Sequence, residues 1–99
     1  MGTLKVIIRK RALHTIEKVA EWYNAEVNPR AARHFVDDVH DAVVRLSQSP
    51  LIGTLDENYS TKKVKFYSFL LHPKYRIVYR FTQKTLYVVA LRATMKKCK

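Results

Sequence analysis

Glu26-Val27-Asn28-Pro29-Arg30-Ala31-Ala32 decides the fold, because this stretch ends one helix and starts another with no loop between them. Asparagine is a favoured N-cap, and proline at the first helical position loses nothing by lacking an N–H. Upstream, Ala12, Leu13, Ile16, Val19, Ala20, Tyr23 and Val27 recur at spacings of three and four. That spacing draws one apolar stripe along a helix from about residue 10 to about residue 26. Downstream, Ala32, Phe35, Val36, Val39, Val43 and Leu46 draw a second stripe, with Asp37, Asp38, His40, Asp41 and Arg45 mainly on the solvent side. The second helix stops before Ser49-Pro50, since the residue preceding a proline is biased out of the helical region. Helices joined this tightly form an antiparallel hairpin, and their stripes must cover another layer, which has to be a sheet.

The strands lie on either side of the hairpin. Residues 3 to 8, Thr-Leu-Lys-Val-Ile-Ile, are β-branched and partly alternating, as in a first strand. Pro50, Gly53, Asp56, Asn58 and Ser60 make residues 50 to 61 an irregular connection. Three further strands are predicted near 62 to 71, 74 to 82 and 85 to 92, turning at His72-Pro73 and Thr82-Gln83-Lys84. In the middle one, Tyr75, Ile77, Tyr79 and Phe81 face one way and Lys74, Arg76, Val78 and Arg80 the other. Alternation carried into the preceding strand puts Lys63, Lys65, Tyr67 and Phe69 on the basic side. Leu86 to Leu91 is apolar on both faces, which marks a central strand or one whose outer face a partner covers. The expectation is one α+β domain over residues 1–99, ordered β-α-α-β-β-β, with the helical hairpin packed on one face of a mainly antiparallel sheet.

Charge is divided sharply along the chain. Residues 1 to 57 hold all eight acids and eight bases, which cancel, so the whole net charge of +11 sits in residues 58 to 99. A one-signed field of this kind attracts polyanions or an acidic protein. With 99 residues, 47% of them hydrophobic, the chain builds one small core and leaves no room for a deep self-contained catalytic pocket or a small-molecule substrate site. The short apolar run Leu4 to Ile8 is neither a signal-peptide core nor a membrane span. Cys98 is the only cysteine and forms no internal disulfide, which fits a reducing cytoplasm.

The chemistry-bearing residues are correspondingly basic. His14, His34, His40 and His72 are scattered without metal-ligand spacing, there is no glycine-rich phosphate loop, and no metal or cofactor is expected. Asp37, Asp38 and Asp41 read as a solvated helix face. Lys63-Val64-Lys65-Phe66, Tyr75-Arg76-Ile77-Val78-Tyr79-Arg80 and Arg92 together offer a cationic sheet face. Such a face can hold a phosphate backbone and stabilise the charge that develops when a phosphodiester is cut without metal. Cleavage also needs an acid and a base, for which Tyr67 and His72 are the nearby candidates. Tyr75, Tyr79, Phe81 and Phe66 read as core, whereas Tyr67 and Phe69 are the aromatics available for stacking.

Asn28-Pro29-Arg30-Ala31-Ala32-Arg33-His34-Phe35-Val36, then Leu46 through Pro50 to Gly53, and the strand Tyr75-Arg76-Ile77-Val78-Tyr79 resemble the RelE/ParE superfamily of toxins, the plasmid stabilisation proteins of bacterial type II toxin–antitoxin systems. The resemblance covers nearly the whole chain. It implies a growth-inhibiting toxin neutralised by a cognate antitoxin that wraps its sheet and helices. In the ribosome-dependent ribonuclease branch, two lysines in a Lys-x-Lys strand, the arginine of the Tyr-Arg strand and an arginine after the last strand surround the scissile phosphate. Lys63, Lys65 and Arg76 match the first three, and Arg92 lies two residues before Thr94, which takes the fourth place. No tyrosine or histidine follows in Ala93 to Lys99 to match that branch's acid and base.

The other branch of the superfamily inhibits DNA gyrase, has longer hairpin helices and lacks the nuclease residues. The expectation therefore leans to gyrase. Two alternatives stand beside it: mRNA endonuclease action on the ribosome, and a basic RNA-binding module with neither activity. On any of these, Tyr67, Arg80, Lys96 and Lys97 are the expected partner-binding residues.

Overall fold

The computed structural model describes residues 3–57, 60–72 and 75–93. Strand β1 (Lys5–Ile8) leads into helix α1 (Lys10–Glu26) and then helix α2 (Pro29–Gln48). A short 3-10 turn (Pro50–Ile52) and strand β2 (Thr54–Leu55) follow, then β3 (Tyr67–His72), β4 (Tyr75–Phe81) and β5 (Thr85–Ala93). The five strands form one sheet in the order β1-β5-β4-β3-β2. Only the β1 and β5 pair is parallel, so the sheet is mainly antiparallel as expected. β5 is an interior strand, between β1 and β4.

The junction between the helices is built as the sequence predicts. Asn28 has extended backbone and its side chain accepts a hydrogen bond from the Ala31 N–H at 2.8 Å, with Pro29 inside the first turn. The hairpin lays Ala12, Ile16, Phe35, Val39, Val43 and Leu46 over Ile77, Tyr79, Leu86, Val88 and Leu91. The predicted stripes were slightly too wide. Leu13, Val27 and Val36 sit at their margins and are exposed, whereas Ala42 and Ser47 are buried.

One buried polar group organises the connection after α2. The Tyr79 side chain is wholly buried, and its hydroxyl donates to the Pro50 carbonyl oxygen and accepts from the Gly53 N–H at 3.2 Å. Gly53 is needed there because a Cβ would fall 2.4 Å from the Tyr79 oxygen and 2.7 Å from the Ser68 carbonyl oxygen. Burial also raises the Tyr79 hydroxyl's pKa, partly opposed by the Gly53 hydrogen bond.

Two strand expectations need correction. The predicted strand at 62 to 71 starts only at Tyr67, and a short strand, β2, lies in the segment expected to be irregular. Hydroxyls hold residues 62 to 66 in a local turn instead. Thr61 Oγ1 accepts from the N–H groups of Lys63 and Val64 at 3.3 and 3.0 Å, and Ser60 Oγ accepts from Phe66 N–H at 2.8 Å. These side-chain bonds compete with a strand ladder for the same backbone groups. Tyr67 and Phe69 consequently do not share the basic face: they pair with Tyr79 and Ile77 on the helix side. Tyr67 stacks on Tyr79 with ring centroids 5.9 Å apart and tilts against Phe81 at 5.4 Å.

Candidate functional site

The outer face of the sheet, away from the helices, carries the cations. Arg76 points outward by simple alternation in β4. Arg92 reaches the same face by a different route. The register between β4 and β5 shifts between Val78 and Tyr79, which pair with Ala90 and Val88, so Val89 is an extra residue in β5. Leu86 and Val88 face the helices, and uninterrupted alternation would send Arg92 after them. The bulge resets the parity, so that Leu91 turns into the core and Arg92 stands directly opposite Arg76.

Both guanidinium groups have partners on the protein. Arg76 Nη1 donates to Ser68 Oγ at 3.0 Å. Arg92 Nη1 lies 3.1 Å from Asp56 Oδ2 in a charged hydrogen bond. The Asp56 side chain is 7% exposed and that of Arg92 40%, so the carboxylate is the deeper member of the pair. Asp56 follows β2 at one edge, while Arg92 lies on β5, with β3 and β4 between them. With strands about 4.8 Å apart, the pair must reach over the outer face. Val78, Ala90 and Ser68 accordingly are buried although they belong to that face. Thr54, Asp56, Glu57, Ser68, Arg76 and Arg92 line an open depression of about 350 Å³.

The other predicted site residues fall elsewhere. Lys63 and Lys65 are exposed on the turn before β3 and not on a strand. Arg80 lies farther along the outer face with its guanidinium 4.4 Å from the centre of the Tyr87 ring. Tyr67, the expected acid or base, is on the opposite side of the sheet from Arg76. The His72 backbone ends β3 opposite Tyr75, its side chain lies outside the description, and Lys96 and Lys97 lie outside the described residues. Two site residues were missed by sequence reasoning, Asp56 and Ser68. Asp56 was read only as turn chemistry, and 36 residues separate it from Arg92, so no local pattern signals the pairing.

Among the described residues, no cluster of His, Cys, Asp and Glu could hold a metal ion, and no helix is long and apolar enough to cross a membrane. What the face offers chemically is charge: two arginines in register on adjacent strands, one paired with a carboxylate.

Comparison with known proteins adds the family. No curated protein matches the chain by sequence. The fold is shared with a structure of the chromosomal ParDE toxin–antitoxin system from P. aeruginosa, at a TM-score of 0.76 and 14% identity, covering 94% of this chain and 98% of that one. It is shared also with a YoeB/ParE toxin from Agrobacterium tumefaciens, at a TM-score of 0.60 and 15% identity, covering 93% of this chain and 100% of that one. Residues 6–97 match the model of the ParE toxin of the type II toxin–antitoxin system parDE. The chain belongs to this ParE toxin family, and as the toxin of such a system it has a cognate antitoxin as its partner.

Proposed function

We propose that this toxin acts in the cytoplasm by binding and inhibiting DNA gyrase rather than by cutting RNA. The observation that carries the proposal is the commitment of Arg92 to Asp56. A metal-free ribonuclease stabilises developing phosphoryl charge with cations aimed at the phosphate, and needs an acid and a base beside it. Here the second arginine is neutralised by a carboxylate that would also repel a phosphate, and Tyr67 is turned to the helix side. The helices support the same choice. At 17 and 20 residues they suit the long hairpin that the gyrase branch carries.

The test is a supercoiling assay with purified gyrase, relaxed plasmid and ATP. Loss of supercoiling as the protein is added, restored by the cognate antitoxin, is the expected result. Uninhibited gyrase would reject the proposal.

The in-register pair Arg76 and Arg92 is the one feature that favours ribosome-dependent mRNA cleavage instead. Primer extension on an mRNA in a translating extract separates the two: cuts that vanish when ribosomes are omitted belong to a ribonuclease, and an uncut message is expected here.

A further inference from the structure

We propose that Arg76 and Arg92 form an oxyanion seat on the outer sheet face, and that the chain's own Asp56 carboxylate keeps it filled against phosphate. The geometry has the parts of an anion site. Two arginines stand opposite one another on neighbouring strands, a serine hydroxyl lies 3.0 Å from the guanidinium of one, and both line an open depression. Its anion is already present. Asp56 Oδ2 is 3.1 Å from Arg92 Nη1, and the carboxylate is nearly out of solvent. Glu57, lining the same depression, adds a second negative charge.

The backbone of Asp56 explains why this carboxylate stays in place. Its N–H donates to the Phe66 carbonyl at 2.8 Å, and its carbonyl accepts from both the N–H and the hydroxyl of Ser60 at 2.9 and 2.8 Å. The residue is therefore tied at both peptide groups to the turn that carries Lys62, Lys63 and Lys65. A carboxylate tethered in this way competes with dissolved phosphate at an effective concentration set by the fold, not by the solution. The backbone ties do not involve the side chain, so Asp56→Asn leaves them in place while removing the charge and turning one acceptor oxygen into an N–H donor. The proposal rests on the same Arg92–Asp56 pair as the gyrase reading, but it concerns ligand binding by the isolated toxin and is read out without gyrase.

Titration with inorganic phosphate at neutral pH and constant ionic strength, followed by the side-chain Nε–H signals of Arg76 and Arg92, tests it. Asp56→Asn is expected to bind phosphate at least about tenfold more tightly than the unmodified chain, and Asp56→Asn with Arg92→Gln to lose that gain. A folded Asp56→Asn chain with unchanged phosphate affinity overturns the proposal, as does a gain that persists without Arg92. Should Asp56→Asn fail to fold, the unmodified chain decides. An Arg92 signal unmoved by millimolar phosphate supports the filled seat, and a saturable shift of that signal overturns it.

Discussion

Removing one oxygen, by Tyr79→Phe, tests what holds the segment between α2 and β2 against the sheet. The ring is wholly buried and stays so in phenylalanine, so the transfer of apolar surface hardly changes. What is lost is the hydroxyl's donation to the Pro50 carbonyl and its acceptance from the Gly53 N–H. Each such bond contributes about 1 kcal/mol net, and partners left dry cost about 1 to 3 kcal/mol more, which gives a loss of about 2 to 4 kcal/mol. For a domain of this size that lowers Tm by about 10 to 25 °C. Urea unfolding followed by circular dichroism is the assay, with the midpoint falling and the slope unchanged. Gly53→Ala provides an independent check on the same contact. Its added methyl meets both the Tyr79 oxygen and the Ser68 carbonyl oxygen, so it should destabilise strongly in the unmodified chain. In the Tyr79→Phe background the first clash is gone and the second remains, so Gly53→Ala should cost less there without becoming neutral. A loss below about 0.5 kcal/mol for Tyr79→Phe, with additive behaviour in the pair, would refute the structural role assigned to the hydroxyl.

Other expectations follow from single contacts. Asn28→Ala removes the α2 cap bond to Ala31 and should cost about 1 kcal/mol in the same urea assay, whereas Asn28→Ser should restore most of it. Burial raises the hydroxyl pKa of Tyr75, reinforced by Tyr23, and of Tyr79 above the ordinary value of 10.0. Their contribution to stability is therefore complete below pH 10 and lost as the pH climbs through the raised values, so alkaline unfolding should be shallower in Tyr79→Phe. Growth arrest on expression should survive Lys65→Ala combined with Arg76→Ala. Loss of arrest with the folded double variant would point to phosphate contacts and hence to RNA.

The helical layer was legible because its signals are local. The Asn28-Pro29 junction, the three-and-four spacing and the Ser49-Pro50 stop each act within one turn of helix, and α1 and α2 fall where they predict. The existence of β1, β3, β4 and β5 was legible for the same reason, including the inward aromatic side of β4, whereas the two-residue β2 was not. Strand starts were less so. Nothing in Lys62 to Phe66 opposes a β-strand by composition, and the stretch is kept out of the sheet by hydroxyls of Ser60 and Thr61 that take its backbone donors. Once the start moves to Tyr67, simple alternation inherited from Lys63 and Lys65 no longer says which face Tyr67 occupies.

The outer face shows why counting charge does not place it. The sequence correctly assigns every surplus cation to residues 58 to 99, yet two nonlocal facts decide what Arg92 can do. Val89, an extra residue indistinguishable by type from its apolar neighbours, turns Arg92 outward toward Arg76. Asp56, which belongs to the half of the chain that is neutral by count, then pairs with its guanidinium. An arginine two residues short of the phosphate-binding place that Thr94 takes is thus brought to the same face as Arg76 and neutralised there. Cleavage needs the first of these without the second, because a cation held by a buried carboxylate gives little to a transition state whose charge it must meet. The same arrangement costs a protein-binding toxin nothing, since it fixes the turn bearing Lys62, Lys63 and Lys65 while leaving those three lysines exposed for an acidic partner.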